Sequence, residues 1–514
     1  MRAAEAADAS AEVGRLSPLE ERFERARRRW GLLAGPAVAL AVYFWWAADY
    51  APAPRRLATV LALVVIYWVS EAIPIPVTAL LGPALCALLG IGSARAVLAP
   101  FADPVIFVFL GSFLLARAMM VNGLERRVAL RVLALPGVGS SPTGLLVATG
   151  GVAAVLSMWI SNTGTTAMLF PIVLGIISTL EALGPAGSGR ALQRYGTGLL
   201  LMTAYAASIG GLATPVGTPP NLIGLGMMEN LVGRRIPFFE WMLLNLPLVV
   251  VMFAFLAVLF RVLEGSRVER FRGLGERLGE LRAGLGRWTR AQTFTLVAFL
   301  TTVSLWVLPG ILTLALGREH AWAVVVKEHL HEAVAALLGP ALLFLLPVDW
   351  RQGKFALTWR EAVQIDWGTI LLFGGGLSLG GLMYETGLAR AWAESLLAAS
   401  GLSGVWGITA LAIAFAILMS ETTSNTASAS MVVPVAIVVA QAAGVSPLPP
   451  ALGATLGASF GFMLPVSTPP NAIVYGSGRI PLLAMMRAGV LVDIAGFFVV
   501  WGTLRVLCPL LGLL

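Results

Sequence analysis

Long apolar segments fill the chain from residue 31 to residue 513 and constrain its fold more than any other feature. Charged residues make up 12% of the 514 residues and hydrophobic residues 58%, whereas soluble proteins carry about 25% charged residues. One membrane crossing takes about 20 apolar residues. The sequence therefore predicts an all-α polytopic membrane protein with about eleven transmembrane helices, the size of a transporter.

Two apolar stretches, 145–180 and 403–440, are too long for one crossing and too short for two crossings with a turn. They contain 36 and 38 residues, and each has a Ser-Asn-Thr triplet near its centre, starting at Ser161 and Ser424. Polar backbone at this depth is tolerated only where it is buried in protein or lines a cavity. We therefore expect two re-entrant hairpins with polar tips.

Two further apolar segments, 197–228 and 451–478, are interrupted by the sequence Thr-Pro-Pro-Asn. The motif starts at Thr218 in the first segment and at Thr468 in the second. Two prolines remove two backbone donors and clash with the preceding helical turn. Each segment is therefore predicted to be a broken helix.

These interruptions are duplicated along the chain. The Ser-Asn-Thr triplet recurs 263 residues later and the Thr-Pro-Pro-Asn motif 250 residues later, with five apolar crossings between the two hairpins. An odd number of crossings makes the hairpins enter from opposite faces. This pattern predicts an inverted repeat whose interrupted segments meet near the membrane midplane and form the binding site.

Charge predicts how the chain is oriented in the cell (inner) membrane. Residues 264–290 carry seven arginines against four glutamates, and cytoplasmic loops carry an excess of Lys and Arg. We expect a cytoplasmic N-terminus, an outside C-terminus, a first hairpin entering from the inner side and a second from the outer side. The predicted parts are a cytoplasmic segment 1–30, a first membrane half 31–262, a cytoplasmic connection 263–291 and a second membrane half 292–514.

The hairpin and broken-helix segments together contain no Lys, Arg or His and a single acid, Glu421. Their hydroxyl, amide and backbone oxygens suit a hard monovalent cation, and helix amino termini at the breaks favour an anion. Bound cations could therefore replace an arginine in holding a dianion. Two equivalent tips suit a ligand with two equivalent ends, such as a short dicarboxylate.

The paired motifs resemble those of the divalent anion:sodium symporter family, whose members carry dicarboxylates, citrate or sulfate with sodium. The resemblance rests on the two triplets, the two Thr-Pro-Pro-Asn breaks and the stretch 464–476, and it covers about residues 31–513. It implies a homodimer that works by an elevator motion, with two sodium sites flanking one substrate.

The resemblance also implies which residues bind. Sodium ligands would be Ser157, Ser161, Asn162 and Gly217 at one site, and Ser420, Thr423, Asn425 and Ser467 at the other. Substrate contacts would be Asn162, Thr163 and Thr218 on one side, and Asn425, Thr426 and Thr468 on the other.

The expected function is sodium-coupled symport of C4 dicarboxylates such as succinate, malate or fumarate. A sodium-independent dicarboxylate exchanger and a sodium-coupled sulfate or citrate carrier stay open, and an ion channel is the alternative from another class. An enzyme is not expected, because the chain has no HExxH motif and no histidine base for Ser161. We expect no organic cofactor and no nucleic-acid partner.

Glu421 admits two interpretations. A carboxylate at membrane depth points to function. The equivalent position of the first half is Met158, so the symmetry of the site does not require an acid there. The sequence favours structural hydrogen bonding over coupling to a proton or a cation.

Overall fold

Helices form almost everywhere that the apolar segments predict them. The computed structural model describes residues 18–183, 189–264, 271, 273–317, 319–400 and 404–514. Within these residues, ten helices are long and apolar enough to cross a membrane, or eleven if one bent pair is a single span. The expected all-α polytopic membrane architecture is confirmed.

The first half of the chain contains eleven helices within the described residues. The first helix, α1, begins at Pro18 and so includes the second part of the predicted segment 1–30. A five-residue π-helical turn, Val42–Trp46, continues it. The helices are α1 (Pro18–Ala41), α2 (Pro52–Ser70), α3 (Ile75–Leu88), α4 (Ala94–Leu98), α5 (Pro104–Asn122), α6 (Leu124–Leu133), α7 (Pro142–Ser157), α8 (Asn162–Leu183), α9 (Gly189–Gly210), α10 (Pro219–Val232) and α11 (Phe238–Glu264).

A short helix, α12 (Leu274–Ala283), lies in the connection between the two halves. The second half then repeats the order of long helices, short breaks and hairpin limbs. Its elements are α13 (Arg290–Leu316), α14 (Ala321–His329), α15 (Glu332–Leu345), the two-stranded antiparallel hairpin β1 (Pro347–Asp349) and β2 (Lys354–Phe355), α16 (Trp359–Ala362), α17 (Trp367–Glu385), α18 (Leu388–Ser400), α19 (Val405–Thr422), α20 (Asn425–Ala442), α21 (Leu448–Gly457), α22 (Pro469–Tyr475) and α23 (Leu482–Leu510).

The four interrupted segments each form a helix, a break and a second helix. Short breaks separate α7 from α8 and α19 from α20, with the polar triplets at the two breaks, and the two helices on either side of each break pack against each other. The double prolines begin α10 and α22 rather than interrupting them. Proline is tolerated in the first turn because its missing N–H has no partner there in any helix.

The two halves pack into each other around the broken helices. In α9 the membrane-spanning window is buried along its whole length. The second part of the first broken helix, α10, packs against α20 and α21, and the second part of the other, α22, packs against α8 and α9. Each broken helix therefore contacts the hairpin of the other half.

Glycines bring several of these helices into backbone contact. A Cβ atom built on Gly111 of α5 would lie 1.9 Å from the carbonyl oxygen of Ala336 in α15. By contrast, a Cβ atom built on Gly381 of α17 meets nothing within 4 Å. The α5–α15 contact therefore requires glycine, whereas position 381 does not.

We expect Gly111→Ala to lower the free energy of unfolding by about 1–3 kcal/mol, because the methyl group must push α5 and α15 apart. The measurement is thermal unfolding of the purified protein in detergent. Gly381→Ala is the matched control and should be neutral or slightly stabilising. Equal melting temperatures for the two variants would contradict the close contact.

Candidate functional site

The first hairpin is closed by a hydrogen bond between its two limbs. The hydroxyl of Ser157, the last residue of α7, donates to Oδ1 of Asn162, the first residue of α8, over 2.6 Å. The side-chain amide of Asn162 lies 3.5 Å from Oγ1 of Thr218. Asn162 thus joins the hairpin tip to the first broken helix.

Two side chains donate hydrogen bonds to backbone carbonyl oxygens of the loop between α9 and α10. The amide Nδ2 of Asn221 donates to the carbonyl oxygens of Gly211 (2.9 Å) and Thr214 (2.8 Å). The indole of Trp241 donates to the carbonyl oxygen of Leu212 over 3.0 Å. Backbone groups freed by a broken helix at membrane depth need protein partners of this kind.

Two glycines leave room between the oxygen atoms at this tip. A Cβ atom on Gly211 would lie 2.4 Å from Oδ1 of Asn162, and one on Gly217 would lie 2.5 Å from the carbonyl oxygen of Gly211 and 2.9 Å from that of Ser157. We call Ser157, Asn162, Gly211 and Gly217 the first oxygen cluster. It is neutral and built from hydroxyl, amide and carbonyl oxygens, the donor set of a hard monovalent cation.

The second hairpin repeats this arrangement. The hydroxyl of Ser420 lies 2.7 Å from Oδ1 of Asn425 and 2.8 Å from the carbonyl oxygen of Ala458. A Cβ atom on Gly461 would lie 3.1 Å from the carbonyl oxygen of Ser420 and 3.4 Å from Oδ1 of Asn425. We call Ser420, Asn425, Ala458 and Gly461 the second oxygen cluster.

The second broken loop is also held by an asparagine. Nδ2 of Asn471 donates to the carbonyl oxygens of Gly461 and Leu464, each over 3.1 Å. Asn471 and Asn221 thus bond the carbonyls ten and seven residues before them. Both side chains are 0% exposed, and neither Oδ1 atom has a hydrogen-bond partner.

The two halves differ at Glu421. Its carboxylate accepts hydrogen bonds from the hydroxyl of Ser467 (2.6 Å) and the backbone N–H of Met463 (2.9 Å). Glu421 is 3% exposed. Glu421 therefore makes hydrogen bonds to two residues of the second broken loop, and the Ser467 hydroxyl points toward the Glu421 carboxylate.

Asp493 of α23 is a second buried acid in this region. It is 6% exposed, and its carboxyl group lies against that of Glu421. Two buried carboxyl groups in contact cannot both be ionised, so the pair holds a proton between them. The second half therefore has an acid pair where the first half has none.

The remaining predicted residues lie at the same two breaks but outside the clusters. Ser161 is exposed and accepts a hydrogen bond from the backbone N–H of Gly164 (3.2 Å). Thr163 is exposed, and Thr426 is half-buried, one position after Asn425. Thr423 bonds the carbonyl of Met419 (2.9 Å) and the hydroxyl of Ser428 (2.7 Å), and Thr468 accepts from the N–H of Asn471 (3.3 Å).

Sequence reasoning missed five residues with direct roles in this geometry, among them Ala458, whose carbonyl oxygen belongs to the second oxygen cluster. Gly211 and Gly461 could have been found, because they repeat with the 250-residue spacing of the broken helices. Asp493 is an acid inside an apolar segment, which is itself a signal. Trp241 has no sequence signal, because it lies in an ordinary crossing and reaches its partner only in the folded chain.

No group of three or more His, Cys, Asp or Glu side chains converges in the part of the chain that the structure describes. The membrane-length helices identify a polytopic membrane protein. The family model described as "Sodium:sulfate symporter transmembrane region" matches residues 26–514, which indicates a transporter rather than an enzyme. The chain therefore belongs to this family of divalent anion:sodium symporters, and the resemblance seen in its motifs is confirmed.

Individual relatives agree with this assignment. The chain is 32% identical over 439 residues to the sodium-dependent dicarboxylate transporter SdcS of Staphylococcus saprophyticus, covering 84% of this chain and 82% of the relative. It is 32% identical over 479 residues to SdcS of Staphylococcus aureus, covering 91% and 89%. The crystal structure of the Alcanivorax borkumensis YdaH transporter superposes with a TM-score of 0.55 at 14% identity, covering 84% of this chain and 89% of that one. That likeness concerns the fold alone.

We expect Gly217→Ala to abolish transport, because its methyl group would lie 2.5 Å from the Gly211 carbonyl oxygen, inside the first oxygen cluster. The measurement is substrate uptake by the purified variant in proteoliposomes. Gly151→Ala is the matched control: its Cβ meets its nearest neighbour, Phe253, at 3.9 Å, and it should transport normally. Full activity in Gly217→Ala would show that the first oxygen cluster is not part of the binding site.

Asp493→Asn should change the free energy of unfolding by less than about 1 kcal/mol, because an amide can donate to Glu421 in place of the proton that the acid pair holds. Thermal unfolding in detergent measures the effect. Asp366→Asn is the control: Asp366 is an exposed cap of α17, and Asn caps helices about as well as Asp. A much lower melting temperature for Asp493→Asn than for Asp366→Asn would contradict the bridging proton.

Proposed function

We propose that the protein is a secondary active transporter that couples sodium entry to uptake of C4 dicarboxylates such as succinate, malate or fumarate. The observation that carries the proposal is that the same hydrogen bond joins the two limbs of both hairpins. A serine hydroxyl meets an asparagine Oδ1 at 2.6 Å in the first hairpin and at 2.7 Å in the second, beside a glycine-lined broken helix each time. The sodium-dependent dicarboxylate transporters at 32% identity support the same cation and substrate class.

Sodium binds at the two oxygen clusters in this proposal. Neither cluster contains a basic side chain, and each combines hydroxyl, amide and carbonyl oxygens, which suits a small monovalent cation. The proposed ligands are cluster residues together with residues beside the clusters. They are Ser157, Asn162 and Gly217 with the neighbouring Ser161 at the first site, and Ser420 and Asn425 with the neighbouring Thr423 and Ser467 at the second.

The dicarboxylate lies between the two sodium ions. Its carboxylates meet the amino-terminal ends of α8 and α20, which begin at Asn162 and Asn425 and carry partial positive charge. A cation about 4 Å from a carboxylate contributes roughly 4 kcal/mol at an effective dielectric constant near 20, so sodium replaces the arginine that the site lacks. The proposed substrate contacts are Asn162, Thr163, Thr218, Asn425, Thr426 and Thr468.

The proposal includes the architecture that such a site needs. The interrupted segments form an inverted repeat, and the hairpins with their broken helices move as one body in an elevator motion within each protomer of a homodimer. The crossed packing of α10 on α20 and of α22 on α8 supports a single moving unit. The arginine-rich connection supports a cytoplasmic N-terminus and an outside C-terminus.

Uptake of radiolabelled succinate into proteoliposomes tests this function. We expect uptake with an inward sodium gradient and none when choline replaces sodium, because without the cations only the partial charges of the helix ends face the substrate. Asn162→Ala and Asn425→Ala should each weaken binding of substrate, sodium or both, by about 1–3 kcal/mol.

The same assay separates the competing functions. Uptake without sodium that requires succinate inside the vesicles would identify an exchanger. No succinate uptake, with sodium-driven uptake of sulfate or citrate instead, would assign the substrate to that anion. Currents far above carrier rates would identify a channel.

A further inference from the structure

A groove of about 370 Å³ lies between α6, α8 and α12, away from both oxygen clusters. The helix α12 follows the membrane span α11 and precedes the span α13, so the groove opens where these spans leave the membrane. Its two basic residues are Arg126 on α6 and Arg277 on α12, and both are exposed.

Apart from Thr179, the rest of the groove has no polar side chain. Leu130, Ile172, Ile176 and Leu278 form a buried floor. A Cβ atom built on Gly175, which also lines the groove, meets nothing within 4 Å. The groove is therefore lined by two exposed arginines and by mostly apolar side chains, and it is open at the glycine.

We propose that this groove binds an anionic phospholipid, with the headgroup phosphate at Arg126 and Arg277 and one acyl chain against the apolar floor. Basic pockets between transmembrane helices at the membrane surface bind anionic headgroups in this way. With the orientation proposed above, the lipid belongs to the cytoplasmic leaflet.

The lining favours a lipid over a soluble anion. A dicarboxylate or inorganic phosphate would use the two guanidinium groups and leave the accessible apolar lining of Met168, Pro171 and Leu281 exposed to water, whereas an acyl chain covers it. Arg277 also pairs with Glu280 at 2.8 Å. Both side chains of that pair are exposed, so the pair contributes little, and the guanidinium remains accessible to a phosphate.

The position of the groove gives the lipid a structural role. Its floor includes α8, the second limb of the first hairpin, and its opposite wall is α12, the helix that connects the two halves. A bound lipid fills the space between a hairpin limb and the connection. Lipid occupancy therefore stabilises the hairpin against α12 without touching either oxygen cluster.

Native mass spectrometry of the full-length protein, titrated with phosphatidylglycerol in detergent, tests the proposal. Removing both charges in Arg126→Ala/Arg277→Ala should weaken binding roughly 30-fold, because each basic residue near the headgroup contributes about 1 kcal/mol and 1.4 kcal/mol is tenfold. Gly175→Phe should block the lipid by filling the groove. Gly175→Ala and Arg282→Ala, whose arginine lies on α12 outside the groove, are matched controls that should bind like the wild type.

Three results would overturn the proposal. The first is unchanged phosphatidylglycerol affinity in both the double-arginine and the Gly175→Phe variants. The second is equal affinity of the wild type for zwitterionic phosphatidylethanolamine. The third is displacement of the lipid by inorganic phosphate or succinate, which would identify a soluble anion as the occupant. Lipid binding is measured without transport, so the result is independent of the proposed substrate and coupling ion.

Discussion

The whole site depends on satisfying the backbone of two helices that break at membrane depth. No water is available there, and each unpaired backbone group costs several kcal/mol. Asn221 and Asn471 solve the problem in the same way, each bonding the carbonyls ten and seven residues before it. Their own oxygens are left without partners. The loops are thus fixed in shape while keeping oxygen atoms in the protein interior.

Because the loops are fixed, their glycines hold the backbone close to the hairpin tips. Gly211 and Gly217 bring backbone against the first hairpin tip with no side chain between, and Gly461 does so at the second. The phenol of Tyr205 in α9 donates to the carbonyl of Phe462 in the other broken loop over 2.7 Å. The two broken helices are therefore bonded to each other as well as to their hairpins, so a displacement of one loop acts on both halves.

Sequence alone predicted the features that depend on local chemistry. Overlong apolar stretches with polar centres gave the breaks, and double prolines gave the starts of α10 and α22. Contacts between distant segments could not be predicted in this way. Ser467 is predicted as a sodium ligand through its backbone, and the sequence does not indicate that its hydroxyl bonds Glu421. Nothing in the sequence pairs Glu421 with Asp493 72 residues later either. Such pairings depend on how α19 and α23 pack.

The two oxygen clusters are alike, but the residues beside them differ in charge. In the first half, Met158 and Gly217 occupy the positions that Glu421 and Ser467 occupy in the second. The second half therefore has a carboxylate where the first has an apolar side chain, and a hydroxyl where the first has a glycine. A carboxylate attracts a nearby cation, and the attraction grows as water is excluded. Under the proposed function, the second cluster therefore holds its sodium more tightly than the first. Sodium at the second cluster then comes first, and it provides the positive charge that the incoming dicarboxylate needs.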